Sequence, residues 1–214
     1  MLLLLQRKAI EVNKFIVFEG VDSSGKSTQI KLLEKKFTDK SLPFTTFREP
    51  GGNILSEKIR DMLLDKEIDI CDESELMLFL AARAQNTSSG IKKELNDDKF
   101  VVCDRYADST LVYQGFGKGL DKNLINLCNI FVTQGLEARL TIILDIEWNK
   151  SKVRGNIEKD RMEDNSDFFF KKVSNGYRSL AEKSPERYFL IDGRLSIDEI
   201  HKLIWNKVKK EFDL

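Results

Sequence analysis

The sequence predicts an α/β protein built on a five-stranded parallel sheet with helices on both faces. Three observations predict it. Five short apolar runs alternate with longer stretches of helical periodicity. The first run leads directly into Gly20-Val21-Asp22-Ser23-Ser24-Gly25-Lys26-Ser27-Thr28, which satisfies G-x-x-x-x-G-K-[ST] at every fixed position. Every other polar motif of note but one stands just after a strand, where an open parallel sheet gathers its binding residues.

The strands are the apolar runs Lys14–Glu19, Phe44–Phe47, Phe100–Asp104, Leu140–Asp145 and Tyr188–Ile191. Between them helical patterns cover Thr28–Lys36, Asn53–Leu64, Glu73–Asn96, Lys122–Thr133, Ser166–Glu182 and Ser196–Phe212. Strand–helix–strand alternation implies parallel pairing, because a crossover is needed between neighbours. No internal repeat or long linker interrupts it, so residues 14–214 form one domain and residues 1–13 an N-terminal tail without an assigned element. The stretch Trp148–Asn165 differs in being dense in charge and poor in apolar anchors. It is either a solvated loop or a mobile lid that brings cations onto phosphates.

Composition narrows the partners. Lys plus Arg and Asp plus Glu are 35 each, with a sequence pI near 6.6. A nucleic-acid binder shows a basic excess, so no nucleic-acid partner is expected. Leu2–Leu5 is too short for a signal-peptide core, and its charges, Arg7 and Lys8, follow it instead of preceding it. No run approaches the roughly 20 apolar residues that span a bilayer. A soluble, cytoplasmic protein without a membrane partner is expected. Cys71, Cys103 and Cys128 have no metal-ligand spacing and suit reduced thiols.

The glycine-rich motif carries the chemistry. Two glycines let successive N–H groups turn inward on an anion, and the following helix dipole adds to that field. Lys26 reaches the outer phosphates of a nucleoside triphosphate, and Ser27 is placed to ligate Mg²⁺. Asp22 sits inside this cradle. Pointing inward, it would oppose a phosphate by roughly 4 kcal/mol at 4 Å and an effective dielectric of 20. It should therefore face outward, toward a second substrate, where a sugar hydroxyl would suit it.

Three further groups are ambiguous one at a time. Arg48-Glu49-Pro50-Gly51-Gly52 is either a simple turn or an aimed phosphate-binding arginine. Asp104-Arg105-Tyr106 is either a strand-end ion pair or a Mg²⁺ carboxylate beside a phosphate cation. Phe79 and Arg83 share a helix face, as a core Phe and a surface Arg or as a base-stacking ring beside a donor. Two other patterns carry nothing. Asn149-Lys150-Ser151-Lys152 has Lys where a guanine-reading motif needs Asp, and His201, the one histidine, lies far from every motif.

Together these pieces resemble the thymidylate kinases. Val102-Cys103-Asp104-Arg105-Tyr106-Ala107-Asp108-Ser109-Thr110-Leu111-Val112-Tyr113-Gln114 is similar to that family's signature segment. The Arg-Glu-Pro-Gly-Gly turn and the Phe79/Arg83 helix fall in the same order as in bacterial members. The resemblance implies the P-loop kinase fold, a homodimer, and ATP-dependent phosphorylation of dTMP to dTDP in dTTP synthesis, with Mg²⁺. Gly20 to Thr28 would bind ATP, with Ser27 and Asp104 on the metal. Asp22 would accept from the 3′-hydroxyl of dTMP. Arg48 and Arg105 would hold its phosphate, Phe79 would stack on thymine and Arg83 would bond a thymine carbonyl. Thr110 and Gln114 would lie near the base or sugar, and Tyr113 would crowd the 2′ position. Asp192-Gly193-Arg194 resembles the adenine-side loop. Family members carry a catalytic arginine in the phosphate loop or in the lid. Ser23 stands at the loop position, so the lid supplies it, with Arg154 first and Arg161 next.

This implies catalysis by position and positive charge: Lys26, Mg²⁺, Arg48, Arg105 and a lid arginine. The acceptor phosphate is mostly ionised at neutral pH, its second pKa being about 6, and needs no general base. Two rival readings stand beside it. A deoxynucleoside kinase would need a base for a neutral hydroxyl, and Glu19 could be that base. A regulatory ATPase switch would hydrolyse ATP without any acceptor.

Overall fold

A computed structural model describes residues 10–11, 14–149, 161–162 and 165–214. Most of the expected lid, including Arg154, lies outside these residues. The five long strands are β2 (Phe15–Glu19), β3 (Phe44–Arg48), β4 (Phe100–Asp104), β6 (Leu140–Asp145) and β7 (Tyr188–Asp192), paired in the order β3-β4-β2-β6-β7. All four pairings are parallel. Each strand ends within one residue of its sequence expectation.

β2 is central and buried at every position, which is why it reads as one apolar run and not as an alternation. On one face, helix α1 (Lys26–Asp39) and the C-terminal helix α8 (Ile197–Phe212) bring Leu33, Phe37, Ile204 and Val208 onto Phe18, Val102 and Ile142. On the other, helix α7 (Asp167–Lys183) packs Phe170, Val173 and Tyr177 against Ile143 and Val112. Ser196 makes a capping box with Glu199, and Ser166 accepts from the Phe169 N–H.

Helix α2 spans Ile54–Leu64 and α3 spans Asp72–Asn86. The expected single helix to Asn96 is interrupted by a π turn, Thr87–Ile91, before α4 (Lys92–Asn96). A longer departure follows β4. After Tyr106 the chain forms α5 (Ala107–Thr110) and runs into a second π segment, Leu111–Gly117. Sequence reasoning gave this stretch no element, because its Thr, Val, Tyr and Gly residues are poor helix formers. Its packing against α7 and the tight fit of Gly117, where a Cβ would lie 2.4 Å from the Phe169 ring, hold it in place. α6 (Lys122–Thr133) follows, capped by Asp121. A two-residue strand β1 (Ile10–Glu11), within the expected tail, pairs with β5 (Leu136–Glu137). No helix among the described residues is long and apolar enough to cross a membrane.

Candidate active site

The glycine-rich loop joins β2 to α1 at the C-terminal edge of the sheet. Gly20 adopts φ 136°, and a Cβ there would stand 2.7 Å from the Leu144 carbonyl oxygen. Gly25 adopts φ 104° and opens α1 in the left-handed region, which Gly occupies without a steric penalty. Lys26 is buried, its Nζ donating to the Gly20 and Val21 carbonyls at 3.1 and 3.0 Å. Burial, followed by the nearby Arg105 charge, lowers its pKa against the pull of Asp104, Asp22 and Glu19. Ser27 and Thr28 stand exposed on the first turn. Ser27 Oγ is 3.5 Å from Asp104 Oδ2. Asp104 Oδ1 is buried and has no hydrogen-bond partner among the described residues.

Beside the loop lies a cavity whose walls include Asp22, Arg60, Phe79, Arg105, Tyr113 and Gln114. Its floor is an ion pair, with Arg105 Nη2 2.6 Å from Asp22 Oδ1. Burial would raise the Asp22 pKa, but Arg105 and then Lys26 outweigh it and hold the carboxyl below its usual value. Asp22 thus faces away from the phosphate cradle, as its charge requires. Arg105 has φ 68°, and Glu19 supports it from behind. That fully buried carboxylate accepts from the Tyr106 and Ser109 N–H groups and from the Ser109 and Tyr177 hydroxyls. Both hydroxyls also receive Arg105 Nη1, at 3.3 and 3.5 Å. Burial, then Asp108, pushes the Glu19 pKa up. Glu19 does not line the cavity, so the base that a deoxynucleoside kinase would need is committed to holding Arg105.

Several expected site residues converge here, but not all in the expected way. Phe79 and Arg83 both line the cavity, although Arg83 is only 1% exposed. Its Nε donates to Glu49 at 2.8 Å, Nη1 to Asn129 and Thr110, and Nη2 to the Tyr106 carbonyl. Among the described residues, four of its five donors are therefore engaged, which leaves one for a ligand. Thr110 lines the cavity as the residue that holds Arg83, while its own hydroxyl donates to the Ala107 carbonyl.

Arg48 does not join them. It lies outside the cavity, half exposed, with Nη2 on both carboxylate oxygens of Glu57 at 3.0 and 2.8 Å. The turn at Gly51 and Gly52 brings α2 back alongside β3, and Glu57 meets Arg48 there. Arg60, one turn further along α2, enters the cavity instead, with Nη1 donating to the Pro50 carbonyl. Sequence reasoning missed it. Its i, i+4 relation to Ser56, which is buried, puts Arg60 on the inner face of α2.

Met162 and Glu75 were also missed. Met162 lines the cavity from beyond the segment 150–160. Glu75 is fully buried just behind it. Arg161, the second lid candidate, donates through Nη2 to Glu75 at 2.7 Å and through Nε to the Leu63 carbonyl at 2.8 Å. A second polar hollow at the ends of β6 and β7 includes Asp145, Arg178, Asp192 and Arg194. Arg178 pairs with Asp145 at 2.8 Å and Arg194 with Asp192 at 2.6 Å.

The sequence model of one protein family, described as Thymidylate kinase, matches residues 18–204. The chain belongs to the thymidylate kinase family. A thymidylate kinase of Kosmotoga olearia is 40% identical over 200 residues, covering 92% of this chain and 94% of its own. One from Prosthecochloris aestuarii is 42% identical over 201 residues, covering 89% and 90%. The crystal structure of a thymidylate kinase from Ehrlichia chaffeensis superposes with a TM-score of 0.75 at 33% identity, over 91% of this chain and 97% of that one. The chain is thus a phosphotransferase with the P-loop kinase fold.

Proposed function

We propose that this thymidylate kinase transfers the γ-phosphoryl group of ATP to dTMP, giving ADP and dTDP, with the acceptor in the Asp22–Arg105 cavity and the donor on the glycine-rich loop. One observation carries the reading. The cavity pairs an anion and a cation at its floor with an aromatic ring, Phe79, in its wall, and it opens beside the phosphate cradle. A nucleoside monophosphate has the matching parts: a phosphate for Arg105 and Arg60, a 3′-hydroxyl for Asp22, and a flat base for Phe79. Tyr113 and Gln114 complete the sugar and base walls.

The chemistry then needs no base. A phosphate oxygen of the acceptor attacks the γ-phosphorus, and ADP leaves. Arg105 and Arg60 hold the acceptor, and Lys26 moves from the loop carbonyls to the outer phosphates. The polar hollow at Asp192 and Arg194 lies on the adenine side. Mg²⁺ fits Ser27 and Asp104, because Asp104 Oδ1 is buried without a partner among the described residues and its other oxygen faces Ser27. Bound there with ATP, the ion would neutralise phosphate charge. Arg154 is the remaining lid arginine, since Arg161 is committed to Glu75 and Leu63.

A homodimer fits the surface of α6. Leu124, Leu127 and Phe131 are 52%, 48% and 71% exposed on one helical face, a patch that a second copy of the chain would cover. Phe131→Asp should shift the mass measured by light scattering toward the monomer.

ADP release measured across dTMP, dCMP, dGMP and thymidine tests the central reading. Turnover with dTMP and none with thymidine is expected. Preference for thymidine, or ATP hydrolysis indifferent to any acceptor, would overturn it.

A further inference from the structure

Glu75 is a carboxylate with no exposed surface, and it lies in neither the glycine-rich loop nor the lining of the acceptor cavity. Among the described residues, three side chains from two separate parts of the chain converge on it. Gln114 donates Nε2 to Oε1 at 2.9 Å, Lys118 Nζ stands 2.8 Å from the same oxygen, and Arg161 Nη2 donates to Oε2 at 2.7 Å. Burying an ionised group costs several kcal/mol, and an apolar side chain of similar size often serves stability as well or better. What an apolar residue cannot do here is fix the direction of the Gln114 amide.

That direction decides what the cavity can read. An amide has a donor end and an acceptor end, and an ionised carboxylate only accepts. Glu75 therefore takes the NH₂ end of Gln114, and the carbonyl is the end left for a base in the cavity wall. Arg83 presents the opposite kind of group, one remaining N–H. A thymine edge offers an acceptor at O4 beside a donor at N3–H, which complements a donor from Arg83 and an acceptor from Gln114. A cytosine edge reverses both, with a donor at N4 and an acceptor at N3.

We infer that Glu75 is a specificity-determining positioning residue. By accepting from Gln114 Nε2 it turns the amide carbonyl toward the acceptor base, so that the cavity takes an imide base and refuses cytosine. This rests on the assignment of dTMP to the Asp22–Arg105 cavity. Arg161 and Lys118 pair with Glu75 at 2.7 and 2.8 Å and hold it in place, and a neutral residue at 75 removes the constraint. In Glu75→Gln the new amide can offer Gln114 either end, so both orientations of Gln114 become available.

The test is the ratio of the dissociation constants of dTMP and dCMP, measured by calorimetry on the full chain with Glu75→Gln and Glu75→Asp. The Asp variant keeps the charge but ends one methylene short of Gln114. A drop of at least tenfold in the preference for dTMP is expected in both. A merely structural role would weaken both ligands in parallel, and a folded variant with an unchanged ratio overturns the inference. Should neither variant fold, a crystal structure of the wild-type chain with dTMP decides: an amide nitrogen of Gln114 facing the base, or no contact between Gln114 and the base, refutes it. Phe79→Ala separates the underlying assignment. If it leaves dTMP affinity intact, the cavity itself is misassigned. If it weakens dTMP while Glu75→Gln spares the ratio, only the role of Glu75 fails.

Discussion

Arg105 Nη2 lies 2.6 Å from Asp22 Oδ1, joining the end of β4 to the glycine-rich loop across the floor of the cavity proposed for the acceptor. The pair also explains how an acidic residue persists inside a phosphate cradle, since its charge is turned outward and compensated. Truncating one member of a hydrogen-bonded, desolvated charge pair at a binding site costs about 2–5 kcal/mol. Arg105→Met should therefore weaken dTMP binding by roughly 100-fold, at about 1.4 kcal/mol per factor of ten. Calorimetric titration checks this, and a loss under threefold would remove Arg105 from the phosphate site.

Arg60 and Arg48 should separate cleanly. Arg60 lines the cavity, whereas Arg48 is held by Glu57 at its exposed side. Arg60→Ala is expected to raise KM for dTMP by tenfold or more. Arg48→Ala should change it by less than about threefold, because exposed ion pairs contribute only about 0–1 kcal/mol. The reverse ranking in steady-state kinetics would restore the sequence-level assignment of Arg48.

Arg83 and Glu49 form a pair whose side chains are 1% and 3% exposed. Arg83→Met leaves the Glu49 charge buried without its partner, which costs about 3–5 kcal/mol. For a chain of this size that corresponds to a fall in Tm of roughly 10 °C. Differential scanning calorimetry measures it, and an unchanged Tm would mean that the guanidinium serves only the ligand.

Glu19 gives a pH dependence of fixed sign. Burial, then Asp108, raises its pKa above the ordinary 4.5, so the folded chain holds this proton more tightly than the unfolded chain does. Its contribution to stability is fully present below 4.5 and is lost as pH rises through the folded value. Glu19→Gln removes that dependence. Relative to wild type, its stability in urea should improve steadily from pH 4.5 upward, on top of a constant loss from altered hydrogen bonds. A gap between the two proteins that stays constant or widens with pH argues against a raised pKa.

Arg154→Ala should lower kcat much more than it weakens dTMP binding, because a lid cation acts on transferring charge and not on the bound acceptor. Equal kcat in the variant would refute the lid assignment and return attention to the loop and to Arg161.

Phe15–Glu19 and Leu140–Asp145 were legible because central parallel strands, buried on both faces, leave unbroken apolar runs. The loop was legible because its glycines answer to backbone geometry alone: Gly20 meets the Leu144 carbonyl, and Gly25 needs a positive φ. The outward turn of Asp22 followed from Coulomb's law. Local physics of this kind is written in consecutive residues. The helix from Ala107 to Gly117 was not legible, since weak helix formers are held there by α7 and not by their own propensity.

The sequence by itself determined the sheet, the glycine-rich loop and the residue types proposed to meet a nucleotide. Only the tertiary structure decided which of them meet. It turned Arg48 onto Glu57 and brought Arg60 in, set Glu19 behind Arg105, and buried Glu75 among Gln114, Lys118 and Arg161. The reason is that a charged side chain is assigned by the partner available to it in space. Glu75 and Arg161 are separated by 86 positions along the chain, and no local pattern spans that distance.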